Sequence, residues 1–311
     1  LIDKLNITTL VIQFNYGFFQ FEIFSDFINQ LKDKDINIIV FLHSTKDPIN
    51  NKTKELRLLT NAFKRCDRLI IHTINDLNRL KDLDLVDNVF LFPHGILDLK
   101  SLHLEKKKQS LKKIYSNNIN KIRSISSFGF CLPNKGYKEL IRSIYLLKNR
   151  SFDIQLNIFC ASYSANYNSY YDELVNEVVK LGLTKIVNID TNYYSDSEIL
   201  RRLSQHELIV FPYQFSNESS SASVRTGLSS LQPVLVTPLP IFDDVQDLVD
   251  FMPGFTSEDI ADGIYSWFEK PQPLDLFQER KKLIEKRSFS NLANRISLLI
   301  KSLEINNSFS I

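Results

Sequence analysis

The chain has 311 residues, more than one hydrophobic core ordinarily organises, so two domains of about 100 to 200 residues each are expected. Apolar residues make up 43% and charged residues 24%, a balance that excludes a disordered or fibrous chain. Lys and Arg number 38 against 36 Asp and Glu, and a net charge of +2 supplies no general field for nucleic acid, so no nucleic-acid partner is expected.

Short runs rich in β-branched and aromatic residues alternate with amphipathic segments, the pattern of βα units that build a parallel sheet covered on both faces. The first predicted strands are 8–14, 36–42, 68–72 and 89–92, separated by predicted helices at 21–31, 53–63 and 75–80. Because this run begins almost at once, at Leu1 rather than a Met, the first domain, 1–98, is expected to be incomplete. A polar stretch with clustered lysines, 99–121, reads as a linker. A second series follows, with strands at 122–128, 154–159, 186–189, 208–211 and 233–237 and helices at 136–148, 171–181, 196–203 and 219–231. It makes a second domain over 122–270. The remaining 271–311 is helical, with periodic apolar residues that include Leu292, Ile296, Leu299 and Ile300, and is expected to pack back on the first domain. The fold class is therefore α/β, two Rossmann-like doubly wound domains facing a cleft.

Cys66, Cys131 and Cys160 are spaced too widely for a zinc knuckle or a redox pair and read as reduced, buried thiols. Charges interrupt every apolar stretch short of the ~20 residues a bilayer span requires, and no signal segment is evident. A cytoplasmic location is expected. Lys106 to Lys113 read first as a solvated linker, and the same lysines leave open a peripheral contact with an anionic inner membrane face.

In open α/β sheets ligands bind beyond the carboxyl ends of the strands, so chemistry is sought just after each predicted strand. One such cluster runs from Ser127 through Gly129 and Lys135 to Tyr137 and enters a helix. A helix start offers unpaired amides and positive partial charge; Gly129 permits close approach and Lys135 adds a full charge, which together suit a phosphate. The plainer alternative is an ordinary turn with a solvated lysine. A second cluster, Phe211 to Thr226, places Glu218, Ser219, Ser220, Ser221 and Arg225 around another helix start, with Glu218 as an acceptor for sugar hydroxyls. Here the plainer alternative is Ser219 as an N-cap. In the first domain, Tyr16, Gly17 and Phe18, then His43, then His94 each follow a predicted strand.

These stretches carry a resemblance. Residues 127–144 and 211–242, with looser matches at 13–19, 41–45, 66–73 and 92–96, resemble the GT-B glycosyltransferases, in particular the retaining enzymes of glycosyltransferase family 4. The resemblance implies a hexose moved from a nucleotide-diphosphate sugar to a glycan, lipid-linked or small-molecule acceptor, as in polysaccharide biosynthesis, with no cofactor required and no metal. It assigns Glu218, Lys135 and His43 to catalysis. Gly129, Lys135, Glu218, Ser219, Ser220, Ser221, Arg225 and Thr226 are assigned to the donor, and Tyr16, Gly17, Phe18, His43 and His94 to the acceptor or cleft. The largest catalytic contribution is then electrostatic stabilisation of the leaving diphosphate.

The chain departs from that pattern at two positions. Thr226 stands where the family carries a second glutamate, which weakens the expected ribose contact, and Phe130 stands at a frequent phosphate-binding arginine, so Arg225 is expected to assist Lys135. Asp33-Lys34-Asp35 and Asp82-Leu83-Asp84 have the spacing of a metal-binding motif but read as surface charge, the first ahead of a strand and the second at the end of a helix. Two other readings stay open: a GT-B module that binds a ligand or partner without turnover, and a nucleotide-sugar epimerase.

Overall fold

The computed structural model describes residues 2–97, 122–162, 168–270 and 276–308. The predicted linker at 99–121, with its lysine cluster, lies outside the described residues. The chain divides into two compact units. One comprises Leu1–Gly95, Asn217–Ser220 and Ser290–Ile311, and the other Ile96–Ser216 and Ser221–Phe289.

The first unit is built on four parallel strands, β1 (Thr9–Phe14), β2 (Asn37–Leu42), β3 (Arg68–Ile71) and β4 (Val89–Leu91), neighbours in chain order. A short helix α1 (Ile2–Leu5) precedes them. Side chains alternate across a strand, and β2 is apolar on both sides. Ile38, Val40 and Leu42 face one core, which includes Phe21, Phe24, Ile28 and Leu31 of α2 (Phe21–Lys32) and residues of α3 (Thr60–Arg65) and α4 (Ile74–Asp82). Ile39 and Phe41 face the other, with Ile70 and Phe92, and there Leu292 and Leu303 of α11 (Phe289–Ser308) close over them. Phe14 sits among the rings of Tyr16, Phe19, Phe21, Phe24 and Phe63, and Phe14→Ala is expected to cost about 3–5 kcal/mol.

The helix predicted over 53–63 is replaced by two 3-10 turns, Lys52–Lys54 and Leu56–Leu59, and the short α3. Glu55 is extended, and the Leu56 amide donates to the Asp47 carboxylate at 2.8 Å. Leu56 and Leu59 are buried at a helix-like spacing, which is what the periodicity detected.

The second unit carries six parallel strands in the order β10-β9-β8-β5-β6-β7. These are β5 (Arg123–Phe130), β6 (Ile154–Ala161), β7 (Val187–Asp190), β8 (Leu208–Phe211), β9 (Val234–Val236) and β10 (Asp250–Phe251), the last not foreseen from sequence. On one face lie α5 (Tyr137–Asn149), α6 (Asn168–Lys180) and α9 (Ser257–Glu269), over Leu208 and Val210 of β8. On the other lie α7 (Asp196–Leu203) and α8 (Ala222–Ser229), over Ile209 and Phe211. An eleven-residue helix, α10 (Leu276–Lys286), follows α9. Chain order reverses between the neighbouring strands β5 and β8, the switch point at which doubly wound sheets bind ligands. Cys66, Cys131 and Cys160 are free and buried, and burial pushes the Cys66 thiol up to about 12. Among the described residues no helix is long and apolar enough to cross a membrane.

Candidate functional site

The second unit's site is assembled from two turns that leave β5 and β8. After β5 the chain passes through the 3-10 turn Pro133–Lys135 to Gly136, the left-handed N-cap of α5 at φ 73°. A Cβ on Gly136 would lie 1.8 Å from the Pro212 carbonyl oxygen, so glycine alone lets the two turns approach. The Gln214 amide donates to the Asn134 carbonyl at 2.9 Å and joins them. The helices α5 and α8 thus cover opposite faces while their amino ends meet at the switch point. Gly129, with φ 153°, belongs to the same junction. A Cβ there would lie 3.0 Å from the Tyr137 hydroxyl and 3.2 Å from Ser223 Oγ.

Lys135 lies in this junction at only 8% exposure. Its ammonium stands 3.9 Å from the centroid of the Tyr213 ring, and among the described residues no carboxylate pairs with it. A buried ammonium facing only the π cloud of a phenol has lost water without gaining a full counter-charge, which leaves it disposed toward an anion.

The neighbouring residues take different roles from those expected. Ser221, not Ser219, caps α8: its Oγ accepts from the Val224 amide at 3.3 Å and lies 3.1 Å from the Tyr213 hydroxyl. Arg225, expected to assist Lys135, is 3% exposed, and its guanidinium is ion-paired with Asp244 and donates to the Ser221 carbonyl at 2.7 Å. Burial lowers the Arg225 pKa and raises that of Asp244, and each charge opposes the other's shift. Thr226 donates to the Ala222 carbonyl one helical turn back, at 3.3 Å. Phe130 is 39% exposed at the end of β5.

Glu218, Ser219 and Ser220 are counted with the first unit, not the second. Glu218 is exposed, and the hydroxyl of Ser219, expected to meet the donor, donates to Asp76 at 2.7 Å. In that unit the carboxyl ends of the strands gather three imidazoles: His43 after β2, His72 after β3 and His94 after β4, with ring centroids 5.1 to 6.0 Å apart. His72 completes the group; in sequence it reads as the last residue of the strand predicted at 68–72. His43 Nε2 lies 2.7 Å from Gln13 Oε1, and burial holds its pKa below the ordinary value. Tyr16 is buried and donates to Asp47 at 2.9 Å; burial, and then the Asp47 charge, raise its pKa. The Gly17 amide donates to Asn15 Oδ1 at 3.1 Å in a tight turn, and Phe18 is 76% exposed.

Asp76 escaped the sequence reading. It is fully buried in the capping box that opens α4, where Thr73 is the N-cap. The spacing from Thr73 to Asp76 signals that cap. Of the two Asp-x-Asp stretches, Asp33 caps the end of α2, and Asp84, beyond the end of α4, pairs with Lys64 at 2.5 Å.

No protein-family model matches the sequence, and no curated protein matches it. Solved structures do. An α,α-trehalose-phosphate synthase from Burkholderia xenovorans, in complex with glucose-6-phosphate, superposes with a TM-score of 0.72 at 12% identity, covering 96% of this chain and 74% of that one. The Anabaena protein HepE in complex with UDP gives 0.72 at 12%, covering 94% and 78%. An α,α-trehalose 6-phosphate synthase from Burkholderia multivorans gives 0.72 at 12%, covering 97% and 72%. The fold is GT-B. Each of its two units is a parallel sheet wrapped by helices, and in the second unit the candidate site lies at the switch point of the sheet.

Proposed function

We propose that the chain is a glycosyltransferase that moves a hexose from a nucleotide-diphosphate sugar to a glycan, lipid-linked or small-molecule acceptor, with retention and without a metal. The observation that carries this reading is Lys135, a buried ammonium that no carboxylate among the described residues pairs with, seated where the starts of α5 and α8 meet. Departure of a nucleoside diphosphate builds negative charge on its phosphate oxygens as the sugar carbon becomes oxocarbenium-like. A fixed ammonium and the unpaired amides of a helix start stabilise that charge without reorganising. In this reading Gly129 and Gly136 let the backbone approach the diphosphate, Glu218 holds sugar hydroxyls, and His43 serves the reacting sugar. Tyr16, Gly17, Phe18 and His94 are assigned to the acceptor side. HepE was solved with UDP, which makes uridine diphosphate the first probe.

Calorimetric titration of UDP into the wild type and into Lys135→Met tests the reading. Binding to the wild type and at least about a tenfold loss in the variant are expected, the worth of one charge-assisted hydrogen bond. No binding of UDP or of any other nucleoside diphosphate to the wild type sinks it. A second reading, a binding module without turnover, is favoured by Thr226, whose hydroxyl is turned back on the Ala222 carbonyl where the family has a carboxylate. UDP binding without consumption of any nucleotide sugar decides for it.

A further inference from the structure

Asp76 does more than cap a helix. The cap uses Oδ2, which accepts from the Thr73 amide at 3.1 Å and from the Thr73 hydroxyl at 2.7 Å. Oδ1 is spent on other segments. It accepts from Thr45 Oγ1 at 2.6 Å, from Ser219 Oγ at 2.7 Å and from Arg79 Nη1 at 3.2 Å, and Arg79 Nη1 also donates to Thr45 Oγ1 at 2.9 Å. The carboxylate has no exposed surface, so these bonds form where water does not compete. Backbone contacts follow the same line: the Ser219 amide donates to the His43 carbonyl at 3.4 Å, and the Ser44 hydroxyl donates to the Asn217 carbonyl at 2.9 Å.

Thr45 is two residues from His43, and Ser219 is adjacent to Glu218. A cap alone needs neither. We propose that Asp76 is a positioning residue that, through Oδ1, fixes the 43–45 loop and the 217–220 segment, and so sets the placement of His43 and Glu218. The proposal rests on the glycosyltransferase reading for what His43 and Glu218 do, and on the hydrogen bonds alone for what Asp76 does. Both segments and Asp76 belong to the first unit, so the network is internal to it. Its two arms come from positions 31 residues before and 143 residues after Asp76, which is why no local pattern reveals them.

The test compares the full chain with Asp76→Asn, which keeps shape and one acceptor oxygen, and with Ser219→Ala, which removes one arm and leaves the cap of α4 intact. Hydrogen exchange reads the network without needing catalysis. Amides of 217–220 are expected to exchange roughly tenfold or more faster in both variants while those of β2 keep their protection, as local opening requires. Amides of 43–45 are expected to follow in Asp76→Asn. With a nucleotide sugar as substrate, kcat falls by about 10²-fold in Asp76→Asn, and KM for the donor rises by a smaller factor because Glu218 holds sugar hydroxyls in that reading. Unchanged exchange at 217–220 in both variants overturns the proposal, and so does an unchanged kcat in Asp76→Asn. If the wild type turns over no nucleotide sugar, the glycosyltransferase reading falls, and exchange still decides whether Asp76 holds the two segments.

Discussion

Two buried cations stand on either side of the switch point in the second unit, and they have opposite fates. Arg225, on α8, is closed off by Asp244 and by the Ser221 carbonyl, so its charge is consumed by the fold. Lys135, ahead of α5, stands over the ring of Tyr213 and has no carboxylate partner among the described residues. Burial alone therefore says little about role, and the partner decides. A guanidinium matched to a carboxylate holds the fold together, whereas an ammonium beside two helix starts is in place for a ligand's charge.

The contrast breaks most readily on the Arg225 side. Asp244→Ala leaves an uncompensated buried guanidinium and is expected to cost about 3–5 kcal/mol in a denaturant titration. A loss below about 1 kcal/mol would show that Arg225 reaches water. Next comes Gly136→Ala, which imposes a left-handed conformation on alanine and drives a methyl group into the Pro212 carbonyl. About 1–3 kcal/mol is expected, together with weakened UDP binding, and a fully stable variant would mean the two turns are not in contact. Lys135→Met is expected to hold stability within about 0.5 kcal/mol of the wild type, because no ion pair is lost. Strong destabilisation there would make the two cations alike and erase the comparison.

The smallest effect concerns pH. Burial holds the His43 pKa below its ordinary value of 6.5, so the unfolded chain takes up that proton more readily than the folded one. Its contribution to stability is complete above pH 6.5 and is lost as pH falls below it. His206 is shifted in the same direction, also by burial, and adds to the effect. Urea unfolding at pH 7.5 and 5.5 should show a shallower acid loss in His43→Gln than in the wild type, and equal losses would remove His43 from the account.

Much of this frame is legible in the residues. β2 after Asn37, and all of β8, are apolar runs, and Gly, Pro and Lys between β5 and α5 mark a turn into a helix. The helix start at α8 is harder to place. Ser219, Ser220 and Ser221 are chemically the same, and only the hydrogen bond from the Val224 amide distinguishes the cap. Arg225 reads as a ligand residue because Asp244, its partner, lies 19 residues on, in a 3-10 turn outside every predicted element. Asp76 shows the limit most plainly. Its cap is written within four residues, while the donors to its other oxygen come from loops that sequence spacing does not bring together.

The late position of α11 bears on synthesis. Ile39, Phe41, Ile70 and Phe92 are covered by Leu292 and Leu303, which leave the ribosome about 200 to 260 residues after them. Throughout that interval a greasy sheet surface has no native cover, and a chaperone that recognises exposed apolar side chains has its best opportunity there.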